Sequence, residues 1–285
     1  MLRRWDTQHL GNIMKNSTMF FDVAYQELAF FPEADPRTDE WLLMDSPGIV
    51  LAICGLYYLV VWKGPQWMEH RKPFEFPRLL FWYNVLLVCL SFFISYEFFG
   101  VAYLDNYALF GCQPVVKGNS PLAMRMTKIA WWYFFSKIIE FMDSVIFILR
   151  KKNNQLSFLH VYHHGTMPFF CWISARYVPG GAKFVAGGLN SAIHVMMYSY
   201  YALAAMGPEI QKYLWWKKHI TKLQILQFSI VILHSLRGLF LRPCAFPKLV
   251  NLFVVCYTGT FLSLFANFYH TEYLKKRRQL KEHRQ

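Results

Sequence analysis

His160-Val-Tyr-His163-His164 places three imidazoles in one short stretch of an otherwise apolar run. At about 100° per residue of helix they occupy an arc of roughly 100°, so all three face one way. A single helical histidine is ordinarily a satisfied core residue. Three at i, i+3 and i+4 are hard to explain by packing. Imidazoles grouped in this way can hold a metal, relay protons, or act as acid, base and nucleophile near neutral pH.

Other polar groups recur at helical spacing in neighbouring apolar runs. Lys137-Ile-Ile-Glu140-Phe-Met-Asp143-Ser144 puts Lys137 beside Glu140 and Glu140 beside Asp143 at i, i+3. A buried ion pair joining helices accounts for these charges, and they would also set the field around the histidines. Asn190, His194, Met197, Tyr198 and Tyr201 form one stripe, with Tyr200 alongside. For the tyrosines, core packing with a hydroxyl partner is the plain explanation; Asn190 and His194 are the site candidates. Thr221, Gln224 and Gln227 share a further face, where hydrogen bonding between helices is the competing role.

The elements that must hold these groups are membrane helices. Of 285 residues, 55% are hydrophobic and 19% aromatic, with 16% charged. The apolar residues fall into runs long enough to cross ~30 Å of hydrocarbon. About seven spans are predicted: Ser46–Trp62, Leu79–Val101, Lys128–Leu149, Leu156–Ile173, Ala182–Met206, Ile220–Phe240 and Leu249–His270. Hydropathy is weakest in the fourth and sixth. Each ionisable group at mid-membrane costs roughly 2.5–3.5 kcal/mol unless it faces a bundle interior or water. The polar stripes are therefore expected to point inward. The chain divides into a segment 1–45, a helical domain 46–273 and a basic tail 274–285. No cleavable signal peptide is expected, because the first 45 residues lack a continuous apolar core.

A net charge of +13 does not call for a nucleic-acid partner, since the cations lie in alternate loops. Lys63, Arg71, Lys72 and Arg78 follow the first span; Arg150, Lys151 and Lys152 the third; Lys212, Lys217 and Lys218 the fifth. Lys275, Lys276, Arg277 and Arg278 lead the tail. Positive-inside reasoning puts these in the cytosol and the N-terminus on the other side. Asn16-Ser17-Thr18 is then a glycosylation sequon on the non-cytosolic face. Cys112 and Cys244 are the only cysteines expected in non-cytosolic loops. In an oxidising lumen they are candidates for a disulfide, the alternative being two free thiols.

Lys137…Ser144, His160…His164, His194-Val-Met-Met-Tyr198-Ser-Tyr200-Tyr201 and Thr221-Lys-Leu-Gln224-Ile-Leu-Gln227-Phe228 occur in that order. Together they resemble the motifs K-x-x-E-x-x-D-[TS], H-x-x-H-H, H-x-x-M-Y-x-Y-Y and T-x-x-Q-x-x-Q-F of the very-long-chain fatty acid elongases, the ELO-type condensing enzymes of the endoplasmic reticulum. The resemblance runs from about Asp35 to Tyr273. Ser144 stands where threonine is common, and Glu282 and His283 interrupt the family's dilysine-type retrieval signal.

The resemblance implies an all-α membrane protein with six helices around a closed acyl tunnel. It implies condensation of acyl-CoA with malonyl-CoA to 3-oxoacyl-CoA, CO2 and CoA, with no metal or redox cofactor. His163 would carry the acyl group, while His160 and His164 orient it and move protons. His194 and Asn190 would polarise a carbonyl or stabilise an enolate. Gln224 would hold pantetheine; Gln227, Tyr200, Tyr201, Glu140 and Asp143 complete the expected substrate-binding set. Lys137, Arg150 and Lys217 are the cations best placed for CoA phosphates. The ketoreductase, dehydratase and enoyl reductase of the cycle are implied partners, with oligomers of elongases and membrane lipid as further contacts. Two other classes remain open. A di-iron desaturase also carries H-x-x-H-H, but needs more histidines than this box plus His194, His234 and His270 supply. A seven-span receptor or transporter would use the same groups as a proton relay.

Overall fold

The computed structural model describes residues 32–241 and 243–275, and among these no strand occurs. Asn16 and the tail beyond Lys275 lie outside the described residues. The helices are α1 (Pro47–Met68), α2 (Pro77–Leu104), α3 (Pro121–Ile139), α4 (Phe141–Leu149), α5 (Phe158–Tyr177), α6 (Lys183–Ala205), α7 (Lys217–Phe240) and α8 (Lys248–Tyr269). Single turns at Pro36–Thr38, Asn153–Gln155 and Pro208–Gln211 join them.

Local sequence starts several of these helices. Ser46, Ser120 and Ser157 cap α1, α3 and α5 through their hydroxyls, each satisfying a free N–H of the first turn. Proline follows at the first position of α1, α2 and α3, where its missing N–H costs nothing. Gly180 (φ 97°) and Gly181 (φ 55°) make the turn into α6 in backbone conformations that glycine adopts readily.

Four helices are long and apolar enough to cross a membrane: Pro47–Met68, Pro77–Leu104, Lys217–Phe240 and Lys248–Lys275, the last continuing α8 through a final π-turn. The sixth predicted span, expected to be weak, is among them. The third, fourth and fifth are not: the third is split into helices of 19 and 9 residues, the longer one carrying Arg125 and Lys128 as well as Lys137, and the polar groups of α5 and α6 lower their mean hydropathy. The third also differs in shape: it starts at Pro121 and breaks at Glu140, where the buried charges cluster. Helix α1 runs past the predicted Trp62 to Met68. There Lys63 and Arg71 lie over Trp62 and Trp67, as aromatic and cationic side chains do at a membrane boundary.

Neighbours pack in the order α2–α3–α5–α8–α7–α6, with α6 returning against α2, while α1 lies outside against α4 and α5. Gly165 eases the approach of α1 to α5, since a Cβ there would press on the Tyr58 ring and hydroxyl. The segment before α1 is tied to the end of α5. The Arg176 guanidinium donates to the Asp35 carbonyl, Thr38 Oγ1 and Asp39, and the Trp172 indole donates to the Leu43 carbonyl. Burial works to raise the Asp35 carboxyl, but hydrogen bonds and charge from Arg37 outweigh it and hold the group below its usual value.

Cys112 and Cys244 form a disulfide between the α2–α3 and α7–α8 loops, 132 residues apart in sequence. Val178, Ala182, Phe246 and Val250 pack beneath it. Closing so long a loop restricts the unfolded chain, so Cys112→Ser is expected to cost about 2–4 kcal/mol. Thermal unfolding in detergent checks this: reductant should lower the wild-type midpoint and leave the variant's unchanged.

Candidate active site

The histidine box begins within the first turn of α5, whose cap Ser157 accepts from the His160 N–H at 3.3 Å. Pro168 sits four residues beyond His164 and cannot donate to its carbonyl. The three rings touch: centroids of His160 and His164 are 4.3 Å apart, and those of His163 and His164 are 5.1 Å apart. Their outlooks nonetheless differ. His160 Nε2 lies 2.7 Å from Ser144 Oγ, which lies 3.1 Å from the Tyr57 hydroxyl. His164 is buried between its neighbours. His163 alone of the three lines a cavity of about 120 Å³.

That cavity also receives Tyr133, Asn190 and Gln227, among largely apolar walls that include Phe98, Phe170, Phe253 and Phe261. Asn190 Oδ1 accepts from the Tyr133 hydroxyl at 3.0 Å and from Lys137 Nζ at 3.2 Å. With both donors on the oxygen, the Asn190 NH2 remains to donate elsewhere. It finds no acceptor among the described residues, and the cavity lies beside it. A carbonyl oxygen gaining negative charge there would be complementary to it.

Behind this wall stands a buried charge network. Lys137 Nζ meets Glu140 Oε1 at 2.7 Å, both side chains 2% exposed. His194 Nδ1 is 3.3 Å from the same oxygen, without hydrogen-bond alignment, and Glu140 Oε2 has no partner among the described residues. The turn at Glu140 brings α3 and α4 to His194 on α6. Asp143 accepts from the Tyr83 and Tyr198 hydroxyls at 2.9 and 2.8 Å. Phenol donors stabilise a carboxylate that has no cation in contact.

The expected site residues thus separate. His163, Asn190 and Gln227 meet at the cavity; His160, His164, His194, Lys137, Glu140 and Asp143 form its support. Gln224 turns to Met197, its Nε2 3.8 Å from the sulfur, and does not line the cavity. Tyr200 packs on Trp216, and Tyr201 is 40% exposed. Arg150 ends α4 and Lys217 begins α7, both away from the cavity. Sequence reasoning passed over Tyr133, although it sits at i−4 to Lys137, and Tyr57 and Tyr83, which had no motif to mark them. Lys183, which belongs to no motif, opens α6 and lines the cavity. Among the described residues no three His, Cys, Asp or Glu side chains converge as a metal site would require.

The Tyr57–Ser144–His160 chain fixes the His160 ring. Ser144→Ala is therefore expected to lower turnover about tenfold with substrate KM little changed, and to cost about 1–3 kcal/mol of stability because the Tyr57 hydroxyl and His160 Nε2 lose a buried partner. Steady-state kinetics beside a melting curve checks both halves.

The family described as ELO: GNS1/SUR4 matches residues 42–281. Very long chain fatty acid elongase 4 of Homo sapiens is 48% identical over 240 residues, 84% of this chain and 76% of that protein. Very long chain fatty acid elongase 7 of Rattus norvegicus is 43% identical over 265 residues, 91% of this chain and 94% of the relative. Very long chain fatty acid elongase 7 of Drosophila melanogaster is 43% identical over 260 residues, covering 91% and 78%.

Proposed function

The chain belongs to the ELO: GNS1/SUR4 family and elongates fatty acids, and we propose that it does so by condensing a long-chain acyl-CoA with malonyl-CoA on His163. The observation that carries this reading is the outlook of His163: a box imidazole facing an apolar cavity, next to an unused amide donor. A neutral imidazole attacks a thioester without the activating base a hydroxyl needs. The attack forms an N–C bond and breaks the C–S bond. CoA leaves as thiolate and takes a proton passed through His164 and His160. Malonyl-CoA then loses CO2, and the electron pair left on its methylene carbon attacks the acyl carbonyl. The N–C bond breaks, freeing imidazole and releasing a 3-oxoacyl-CoA two carbons longer. The sum consumes one proton, which ends on the CoA thiol.

Asn190 Nδ2 supplies a donor for the carbonyl oxygen that becomes charged in both steps. Lys137 and Tyr133 hold that amide in place. His194 and Glu140 sustain Lys137, and Gln227 is a second polar contact on the cavity wall. Arg150 and Lys217 meet the CoA phosphates, Gln224 the pantetheine arm, and Tyr200 and Tyr201 the approach to the site. Apolar walls exclude the water that would hydrolyse an acyl-imidazole. The condensing step uses no metal or redox cofactor. The product, a 3-oxo thioester, is the substrate of the ketoreductase, after which dehydratase and enoyl reductase complete the cycle.

The same reading gives seven crossings, six helices enclosing the acyl chain and α1 outside them, which the order of helix neighbours supports. The helical domain spans 46–273, between a lumenal segment glycosylated at Asn16 and a cytosolic basic tail, in the endoplasmic reticulum membrane. Association with other elongases completes the assembly. Incubation of purified protein with a long-chain acyl-CoA and radiolabelled malonyl-CoA tests the reaction: a labelled 3-oxoacyl-CoA is expected, and its absence would refute the assignment.

A further inference from the structure

The break between α3 and α4 carries the buried charges, yet its own residues do little to hold it. Glu140, which caps α4, makes no side-chain capping hydrogen bond. The Asp143 N–H turns to the Glu140 carbonyl, so the Ile139 carbonyl lacks the donor that an unbroken helix would give it four residues on. The missing partners come from two other helices. Tyr83 on α2 sets its hydroxyl 2.9 Å from Asp143 Oδ1 and 3.5 Å from the Ile139 carbonyl oxygen. Tyr198 on α6 donates to Asp143 Oδ2 at 2.8 Å, and its ring meets that of His194 edge-on, centroids 5.6 Å apart. A carboxylate in the first turn of α4 is thus held on both oxygens, from α2 and from α6.

We infer that Tyr83, which lies outside all four motifs, is a positioning residue for the condensation. It does not line the cavity and acts through others, along two short routes. In the first, the break that Tyr83 holds aims Glu140 at Lys137, and Lys137 Nζ orients the Asn190 amide from 3.2 Å. In the second, Asp143 fixes the fully buried Tyr198, and Tyr198 fixes the tilt of His194. Phenylalanine at position 83 keeps the ring and removes only the donor. Asp143 Oδ1 is then left without a donor among the described residues, and the carboxylate is free to turn about its bond to Tyr198. The inference rests on the elongase reading, which gives Asn190 and His194 their roles.

Tyr83→Phe is expected to lower kcat about tenfold, the scale of one hydrogen bond to a charged group, with KM for acyl-CoA and malonyl-CoA little changed. A merely structural tyrosine would lower yield or melting temperature and leave turnover per folded molecule unchanged, a result that would overturn the inference. Combining Tyr83→Phe with Asn190→Ala, and separately with His194→Ala, adds a second readout. Residues that act through one another are not additive, so in at least one of these backgrounds Tyr83→Phe should cost less than about threefold. The full tenfold loss in both would mean that Tyr83 acts through neither, and would also overturn it. Tyr107→Phe is the control, because its buried hydroxyl has no partner among the described residues. Its kcat should match wild type; a loss equal to that of Tyr83→Phe would count against a specific role for Tyr83. Failure of the wild type to lengthen any chain would refute the elongase reading and this inference with it. An active wild type beside an unimpaired Tyr83→Phe would refute the role of Tyr83 alone.

Discussion

His163→Ala is expected to reduce formation of 3-oxoacyl-CoA by at least ~10^3-fold, the scale seen when a group acting directly on the reacting bond is removed. The expectation follows from geometry. His160 is engaged by Ser144, and His164 is enclosed by its neighbours, so neither can replace the ring that faces the cavity. Alanine removes a half-buried ring beside Phe261, which loosens packing but breaks no ion pair. The variant should therefore keep most of its thermal stability and its acyl-CoA binding. Activity within tenfold of wild type, measured as labelled product, would remove His163 from the chemistry.

Lys137→Met should be the most destabilising single change in the bundle, by about 3–5 kcal/mol. It leaves Glu140 2% exposed with one oxygen near His194 and the other without a partner among the described residues. Breaking a buried pair from one side exposes the full desolvation cost of the remaining charge. The double variant Lys137→Met/Glu140→Gln should recover most of that loss, since neither charge remains. Activity should not recover with it, because Asn190 has lost the Lys137 donor that helps orient its amide. Melting curves and turnover for the single and double variants separate the two effects. Equal stability of both variants would mean that the pair is not the buried unit described here.

The helical class and the burial of Lys137, Glu140, His164, Asn190, His194 and Gln227 were legible because membrane helices separate inward polar from outward apolar residues at a fixed period. Tyr201, on the same stripe as His194, is nonetheless 40% exposed. The Lys137–Glu140 pair followed from i, i+3 spacing alone. The sharing of roles within the histidine box did not. Spacing puts three imidazoles on one arc, but whether each ring meets a serine, a neighbouring ring or a cavity depends on which helices pack there. Tyr57 and Tyr83 reach the site from α1 and α2, distant in sequence from every motif. Lys183 stayed unmarked for a related reason: a cation at a span boundary belongs to no motif, and only the packing shows the cavity beside it. The break at Glu140 was also hidden, since Ile139, Phe141 and Met142 flank it with residues that suit a continuous helix.

The central claim is that the acyl chain becomes bonded to His163 before malonyl-CoA takes part. Intact mass of the purified protein after incubation with a long-chain acyl-CoA alone tests it most directly. An increase of one acyl group in the wild type, absent in His163→Ala, is the predicted result. No adduct, with labelled product still formed once malonyl-CoA is added, would contradict it and make His163 a base acting on a thioester attacked directly.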